Sequence, residues 1–242
     1  MKLYKITVCL LCTLLGTACS NDDDNTLPTV TPEATGTFTD ERDGAEYHWV
    51  RIGGLDWMVE NFRYQLTIED EWYGTIMDET KCCYYLDYNA YQSGNIDEDK
   101  WSAKYGYLYT QQGALEATPD GWRLPTDEDW MSLEKALGMS QADADADEWR
   151  GTVTGQLMRQ SSEGTLLNML MAGYYTQHTI MSTSGYRFMG SYGFYWTATA
   201  DPSKEGDYYF YRKLYYQSSQ VYRQSMEPDA NKLSVRYVRN AH

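Results

Sequence analysis

Cysteine is scarce in this 242-residue sequence, which has five. Cys9 and Cys12 lie in an N-terminal apolar segment and Cys19 follows it, which leaves the adjacent Cys82 and Cys83 for the remainder of the chain. Adjacent cysteines form a disulfide only with strain. Two reduced thiols, a strained vicinal bridge and a link to another chain therefore stay open. A metal site is not expected, because no second Cys or His pair stands at ligand spacing.

Signatures of common hydrolases are also missing. The histidines are His48, His178 and the terminal His242, and no Gly-x-Ser-x-Gly segment occurs, so a Ser-His or Cys-His nucleophile arrangement has little support. The 35 acidic residues leave one alternative, a polysaccharide hydrolase with carboxylates from distant segments such as Glu60 and Asp201. We expect a protein that binds rather than catalyses.

Basic residues are few as well, 20 Lys and Arg, and the formal net charge is −15. Removal of residues 1–18 would take away Lys2 and Lys5 and no acidic residue, so the remaining chain would carry −17. Because like charges repel, nucleic acid and anionic lipid headgroups are poor partners. Neutral glycans, cations and basic protein surfaces remain as partners.

Long apolar runs are absent except near the N-terminus. Residues 1–18 carry two lysines, an apolar run and then small residues, the pattern of a secretory signal that is too short to persist as a membrane helix. Cys19 follows Gly16-Thr17-Ala18 and resembles the lipobox cysteine of bacterial lipoproteins, which receives the lipid. An ordinary signal peptide cut nearby is the alternative. The only predicted contact with a membrane is this N-terminal lipid.

The residues after Cys19 indicate a location and a tether. Residues 20–25 are acidic and resemble the export signal of Bacteroidota-type lipoproteins, which predicts an outer-membrane protein facing the extracellular side; a merely solvated charge run is the alternative. Threonines and prolines follow, as in extended linkers. The predicted organisation is a signal peptide at 1–18, a lipidated tether at 19–35 and one domain at 36–242.

The clearest local pattern covers residues 119–138. Pro119-Asp120-Gly121 predicts a turn, and Trp122 and Leu124 alternate as in a short buried strand. Thr126 stands at an N-cap position before three acidic residues. Apolar residues then recur at helical spacing up to a capping glycine, Gly138. This pattern organises a fold and carries no chemistry.

Other segments predict further elements around this stretch. Residues 45–52 and 55–62 flank Gly53-Gly54 as in a hairpin, residues 63–104 read as a long loop, and residues 107–115 as a short helix. After residue 166, short strand patterns alternate with Gly and Ser, at residues 167–175, 186–189, 194–199, 208–217, 221–224 and 233–239. We predict an α+β fold of short antiparallel strands with two or three flanking helices.

Six short motifs occur in a fixed order: Trp57-Met58-Val59-Glu60-Asn61-Phe62, Tyr105-Gly106-Tyr107-Leu108-Tyr109, Gly121-Trp122-Arg123-Leu124-Pro125-Thr126, Ala172-Gly173-Tyr174-Tyr175, Tyr195-Trp196-Thr197-Ala198-Thr199 and Ser234-Val235-Arg236-Tyr237-Val238-Arg239. Together they resemble the Fibrobacter succinogenes major paralogous domain family, which contains secreted and lipid-anchored bacterial proteins. The Arg-Leu-Pro-Thr segment also resembles the C-type-lectin-like and formylglycine-generating superfamily. The resemblance implies a C-type-lectin-like domain.

Two departures limit what the resemblance implies. Thr118 stands where family members often have cysteine, so a disulfide there is in doubt. No cysteine follows Cys83, whereas formylglycine-generating enzymes use cysteines in the C-terminal part of the domain. That activity is therefore not expected here.

Tyrosine is the most distinctive residue that is present, with 23 copies. Alternation in residues 208–217 predicts one buried strand face and a second face that carries Tyr209, Tyr211 and Tyr215. Aromatic faces with neighbouring polar groups suit sugar rings, so these tyrosines are the candidate ligand-binding residues. An ordinary Tyr-rich strand is the alternative.

No cofactor is predicted, although calcium has weak support. Asp97-Glu98-Asp99 and the alternating Asp143, Asp145 and Asp147 offer oxygen ligands, but neither set has the glycine and distal Glu of an EF-hand. The leading functional hypothesis is a surface lipoprotein that binds an extracellular glycan or surface component. A subunit of a fimbria-like or nutrient-uptake complex is the alternative.

Overall fold

A computed structural model describes residues 27–84, 98–177 and 185–241. The predicted signal peptide, Cys19, the acidic cluster after it, Asp97, His178 and His242 lie outside the described residues. None of the described helices is both long enough and apolar enough to cross a membrane.

The described residues form an α+β fold, which confirms the predicted class. The strands are β1 Ala34–Thr39, β2 Glu46–Ile52, β3 Leu55–Met58, β4 Thr67–Asp70, β5 Gly74–Met77, β6 Cys82–Tyr84, β7 Tyr107–Tyr109, β8 Glu148–Arg150, β9 Tyr174–Thr176, β10 Tyr186–Arg187, β11 Tyr192–Ala200, β12 Tyr209–Tyr215, β13 Val221–Met226, β14 Asn231–Lys232 and β15 Val238–Asn240. The helices are α1 Glu98–Tyr105, α2 Gln111–Glu116, α3 Asp127–Ala136, α4 Gln141–Asp145 and α5 Thr154–Met158. The described chain thus has five helices where two or three were predicted.

The strands form small antiparallel sheets. Two sheets have four strands, in the orders β1-β2-β3-β15 and β11-β12-β13-β8, and a third has the order β10-β9-β14. The pairs β4-β5 and β6-β7 complete the set in the described chain. The last strand pairs with β3, so the C-terminal segment closes the sheet that the N-terminal segment begins.

The predicted hairpin around Gly53-Gly54 is confirmed. Both glycines have positive φ, +64° and +80°, as a two-residue turn matching the strand twist requires. Residues before this hairpin, and before the predicted domain boundary at residue 36, already contact the domain. Leu27 and Val30 pack against the core, and Glu33 N donates to Arg51 O at 2.8 Å. The last residues assigned to the tether therefore lie against the domain.

The pattern at residues 119–138 is largely confirmed. Thr126 caps α3 in a reciprocal capping box with Asp129, and Trp130 and Leu133 are fully buried. The short strand is wrong, because only Arg123 pairs, in a single bridge with Val238. Trp122 and Leu124 are nevertheless buried as their alternation predicts.

Two other predicted elements are corrected. Residues 107–115 do not form one helix: β7 ends at Tyr109, and Thr110 starts α2 by accepting a hydrogen bond from Gly113 N at 3.0 Å. Residues 167–173 are irregular rather than a strand, and Asn168 has φ +47°. Tertiary hydrogen bonds replace the strand ladder there, because Arg236 binds the carbonyls of this segment.

The β11-β12 pair separates two hydrophobic clusters. Its inner face places Tyr195 and Leu214 against α3, in a cluster with Trp57 and Trp130. Its outer face places Phe194, Trp196 and Tyr211 in the second cluster, with Tyr47, Phe62 and Tyr237. Over part of its length the sheet is therefore buried on both faces.

Cations on the inner face of this sheet are neutralised by acids, two of them in α3. Arg212 donates to Asp127 Oδ1 at 2.6 Å and to Glu134 Oε1 at 2.7 Å. Arg150 pairs with Glu134, and Arg223 pairs with Asp127 and Asp147. Burial alone would raise the pKa of Asp127, but hydrogen bonds and charge from Arg223 and Arg212 outweigh it and lower the pKa. The network anchors α3 to the sheet.

Candidate functional site

The outer face of the β11-β12-β13-β8 sheet carries a row of side chains that crosses all four strands. Phe194 lies opposite Lys213, Lys213 opposite Tyr222, and Tyr222 opposite Trp149. Because side chains directly opposite one another on one face are neighbours, three aromatic rings and one ammonium group form a continuous strip, in which Phe194 is buried and the other three side chains are half-buried. We call these four residues the aromatic row.

Three further aromatic residues, Phe188, Tyr192 and Tyr215, lie beside the aromatic row. Tyr192 stacks on Tyr215 with ring centroids 4.7 Å apart. Phe188 contacts Tyr192 edge to face at 5.3 Å. Phe188 is 51% exposed and has φ +63°, a backbone conformation that is costly for a bulky residue. An exposed aromatic side chain held in a strained conformation is typical of a functional position.

These residues enclose a shallow cavity of about 250 Å³, lined by Trp149, Phe188, Tyr192, Phe194 and Lys213. The paired strands β11 and β12 form its floor. The segment between β10 and β11, which contains Phe188, forms one wall. Gly173 brings β9 close to this wall. A Cβ at Gly173 would meet Arg187 O at 2.3 Å, and the residue has φ +69°. The adjacent Tyr174 packs on Phe194 at 4.6 Å.

The predicted tyrosine platform is wrong in part. Tyr211 is only 7% exposed, because Phe194 and Tyr222 pack on it and the second cluster covers that end of the face. Tyr209 and Tyr215 are half-buried. The predicted buried face is confirmed for Phe210, Arg212 and Leu214. The same alternation also places Tyr208 and Tyr216 on that face, and Tyr216 is 49% exposed.

The candidate binding surface therefore lies on the same face of the sheet but at different residues, those of the aromatic row. Of the predicted tyrosines, Tyr215 lies next to the cavity, because it stacks on Tyr192, which lines it. Sequence reasoning missed Trp149, Tyr192 and Tyr222. Tyr222 could have been found from its position in a predicted strand, but Trp149 follows an acidic, helix-compatible segment, and nothing local indicated that β8 joins the sheet edge.

Lys213 gives the cavity a positive charge. Its Nζ lies 3.6 Å from the centroid of the Tyr222 ring and 5.2 Å from that of Trp149, as in cation–π contacts. Burial lowers the pKa of Lys213, and the nearby charge of Glu148 opposes this. Within the described ranges, no carboxylate lies in ion-pair contact with Lys213.

Larger cavities lie elsewhere in the described chain. A cavity of about 560 Å³ is lined by Asp127, Asp201 and Arg223 among others. Burial opposes ionisation of Asp201, but hydrogen bonds from Ser225 and Ser203 outweigh it and lower the pKa. A carboxylate held ionised in this way is unsuited to act as a general acid.

His48 and Glu60 form an exposed pair, Nδ1 to Oε1 at 2.7 Å. They lie beside a cavity of about 400 Å³ that Ser161 also lines. No hydrogen bond joins Ser161 to His48 in the described part of the chain, so the nucleophile–base contact of a serine hydrolase is not formed there.

The calcium pattern at residues 143–147 is engaged within the protein. Asp143 accepts from Ser140 Oγ at 2.9 Å, Asp145 from Gln141 Nε2 at 2.7 Å, and Asp147 pairs with Arg223. Residues 27–84, 98–177 and 185–241 contain no group of three or more His, Cys, Asp or Glu side chains placed to hold a metal ion.

Cys82 and Cys83 are both buried free thiols, which selects one of the three states that the sequence left open. Desolvation raises the pKa of Cys82 to about 11 and that of Cys83 to about 12. Thiols with such values are unreactive near neutral pH. They serve as small apolar side chains in the core.

The β4-β5 hairpin ends in two exposed aromatic residues, Trp72 and Tyr73, which are 83% and 81% exposed. Asp70 Oδ1 accepts from both of their backbone N–H groups, at 2.8 and 2.9 Å, which orders the turn. Glu69 and Glu71 add negative charge beside them. The prediction of one long loop at residues 63–104 is wrong for the described residues there, because this hairpin, β6 and most of α1 lie within it.

Comparison with known proteins bears on this chain at the level of the family. Neither the curated proteins nor the solved structures yielded a match. The family model described as the Fibrobacter succinogenes major domain matches residues 50–239, which include all six motifs and every residue of the aromatic row. The chain therefore belongs to the Fibrobacter succinogenes major domain family.

Proposed function

We propose that this protein is a non-catalytic surface lipoprotein that binds an extracellular glycan on the aromatic row and the adjacent Tyr192. One observation carries the proposal: aromatic side chains of β8, of β11 and of the segment before β11, together with Lys213 of β12, line a cavity of about 250 Å³ that is open to solvent. The C–H faces of sugar rings stack on aromatic rings, and their hydroxyl groups take hydrogen bonds at the edges.

The proposal also covers the membrane anchor and the type of α+β domain. Lipidation of Cys19, after removal of residues 1–18, would hold the domain on the outer membrane facing the extracellular side. The domain would be C-type-lectin-like, in keeping with the Arg-Leu-Pro-Thr segment before α3. Its strong negative charge makes nucleic acid an unsuitable partner.

A glycan array followed by titration calorimetry tests this proposal. We expect Trp149→Ala and Tyr192→Ala each to weaken binding about tenfold or more, because each removes a stacking ring. Trp72→Ala is the matched control, since it removes an aromatic ring that does not line the cavity. Absence of saccharide binding by the folded wild type, or equal loss in the control, would contradict the proposal.

The hairpin tip favours a second function, assembly with a surface protein. Trp and Tyr are the residues that most often anchor protein interfaces. Beside Trp72 and Tyr73 stand Glu69, Asp70 and Glu71, so the partner surface would carry Lys or Arg around an apolar pocket. The role would be that of a subunit in a fimbria-like or nutrient-uptake complex.

Photo-crosslinking on intact cells tests the assembly role. A benzophenone amino acid at Tyr73 should give one stoichiometric product with a protein that presents a basic surface, and high salt should reduce its yield. The same amino acid at Leu115, an exposed apolar position in α2, is the control. No product at Tyr73, or the same product at both positions, would contradict this role.

A further inference from the structure

We infer that the saccharide bound at the aromatic row is acidic, with a carboxylate or sulfate that pairs with Lys213. The inference rests on the proposed glycan-binding function and specifies the ligand class for the same site. It depends on the contrast between the two faces of one sheet.

On the inner face, every cation of the corresponding strands has an acidic partner. Arg212 on β12, Arg223 on β13 and Arg150 on β8 all pair with Asp or Glu side chains at 2.6 to 2.7 Å. On the outer face of β12, Lys213 has aromatic neighbours and no carboxylate in ion-pair contact within the described chain. The sheet thus leaves one ammonium group without a direct ion-pair partner, although Glu148 is near enough to act on it, and this group lines the cavity.

The free-energy cost of partly desolvating the Lys213 ammonium group is a second reason to assign it a binding role. A partly desolvated ammonium group loses favourable hydration, and cation–π contacts with Tyr222 and Trp149 return only part of it. A neutral aliphatic residue would support stacking at this position equally well without that cost. An anionic group above Lys213 would complete the pairing that the inner-face arginines already have.

The charge of the whole protein opposes an anionic ligand, as it opposes nucleic acid and anionic lipid headgroups. With residues 1–18 removed the chain carries −17, so it repels anions in general. Only an anion that also stacks on the rings would gain enough to bind, so a sugar ring with an acidic substituent fits better than a free anion. The cavity of about 250 Å³ lies below the range typical for drug-sized ligands, about 300–1,000 Å³, and suits a single ring.

Paired polymers that differ only in the acidic group test the inference. The mature lipidated protein in detergent is titrated at about 150 mM salt with polygalacturonate and its methyl ester, and with chondroitin sulfate and its desulfated, carboxyl-reduced form. We expect at least one acidic polymer to bind at least about tenfold more tightly than its neutral counterpart. Lys213→Met should abolish this preference, and Lys213→Arg should retain it.

The results distinguish an acidic ligand preference from glycan binding in general. Equal binding of acidic and neutral forms, or an acidic preference that survives in Lys213→Met, would overturn the inference and leave the glycan proposal standing. Binding of neutral glycans alone would do the same. Failure of the wild type and the Lys213 variants to bind any saccharide, with unchanged melting temperatures, would overturn the proposed function itself.

Discussion

Arg236 donates a hydrogen bond from Nε to Asn61 Oδ1 at 2.6 Å, and the two side chains are buried although they lie 175 positions apart in sequence. Arg236 also binds the carbonyls of Met58 and Leu167 at 3.0 Å and of Asn168 at 2.7 Å. One guanidinium group therefore joins the first and last family motifs to the irregular segment 167–173. A guanidinium group suits this role, because it is planar, stays protonated and carries five N–H donors.

Substitution of Arg236 by Met should destabilise the protein by about 3 kcal/mol or more, because several buried carbonyl groups would lose their donors. Urea denaturation followed by tryptophan fluorescence measures the change. Lys204→Met, at an exposed position, is the control and should change stability by less than about 0.5 kcal/mol. Equal stability of wild type and Arg236→Met would show that Arg236 does not hold these segments together.

Asp127 should contribute to acid sensitivity. Burial raises the pKa of Asp127, but Arg223 and Arg212 lower it by more, so the folded-state pKa lies below the unfolded value of about 3.9. The unfolded state then binds more protons, and the stabilisation is present above that value and is lost as pH falls through the folded-state pKa. Asp127→Asn should cost about 3–5 kcal/mol at neutral pH and flatten the dependence of unfolding free energy on acidic pH.

Denaturation curves collected from about pH 7 downward check this prediction. Asp145→Asn is the matched control, because Asp145 is exposed and, among the residues that the structure describes, bonds only to Gln141 on its own helix. A variant at Asp127 with the same acid slope as the wild type would place the acid sensitivity on other carboxylates.

Thr126→Ala should remove the cap of α3 and lower stability by about 1 kcal/mol, because Asp129 N would lose its acceptor. Ser132→Ala in the same helix is the control, with an expected change below about 0.5 kcal/mol. Thermal melts of the three proteins measure the effect. A cost no larger at Thr126 than at Ser132 would mean that α3 is held by packing alone.

Cys82 and Cys83 should resist alkylation in the folded protein. Burial raises both pKa values to about 11 and about 12, so little thiolate exists near about pH 8. Iodoacetamide followed by mass spectrometry should modify neither residue in the native state and both in concentrated guanidinium. Rapid native modification, or a mass that shows a vicinal bridge, would contradict this prediction.

The sequence predicted local features well where the cause was local. The Gly53-Gly54 turn and the Thr126 cap depend on the conformational and hydrogen-bonding properties of a few adjacent residues. It failed where partners were distant. Residues 167–173 have strand composition, yet their carbonyls bind Arg236 instead of a neighbouring strand.

The aromatic face shows the same division. Alternation along β12 separated its two faces correctly, but period-two alternation cannot tell whether a face is covered by solvent or by a second cluster. Tyr211 was therefore placed in solvent although it is buried. Trp149 entered the site only through the pairing of β8 with β13.

Composition and local pattern alone determined that this chain is acidic, rich in tyrosine and of α+β class, and its ordered motifs identified the family. Tertiary structure alone decided which aromatic residues meet, because strands far apart in sequence pair across the sheet and bring Phe194, Tyr222 and Trp149 around Lys213. It also decided which cations are neutralised, since the acids of α3 and Asp147 reach one face of that sheet and leave the other open. Local propensity acts over a few residues, whereas the register of distant strands depends on the packing of the whole domain.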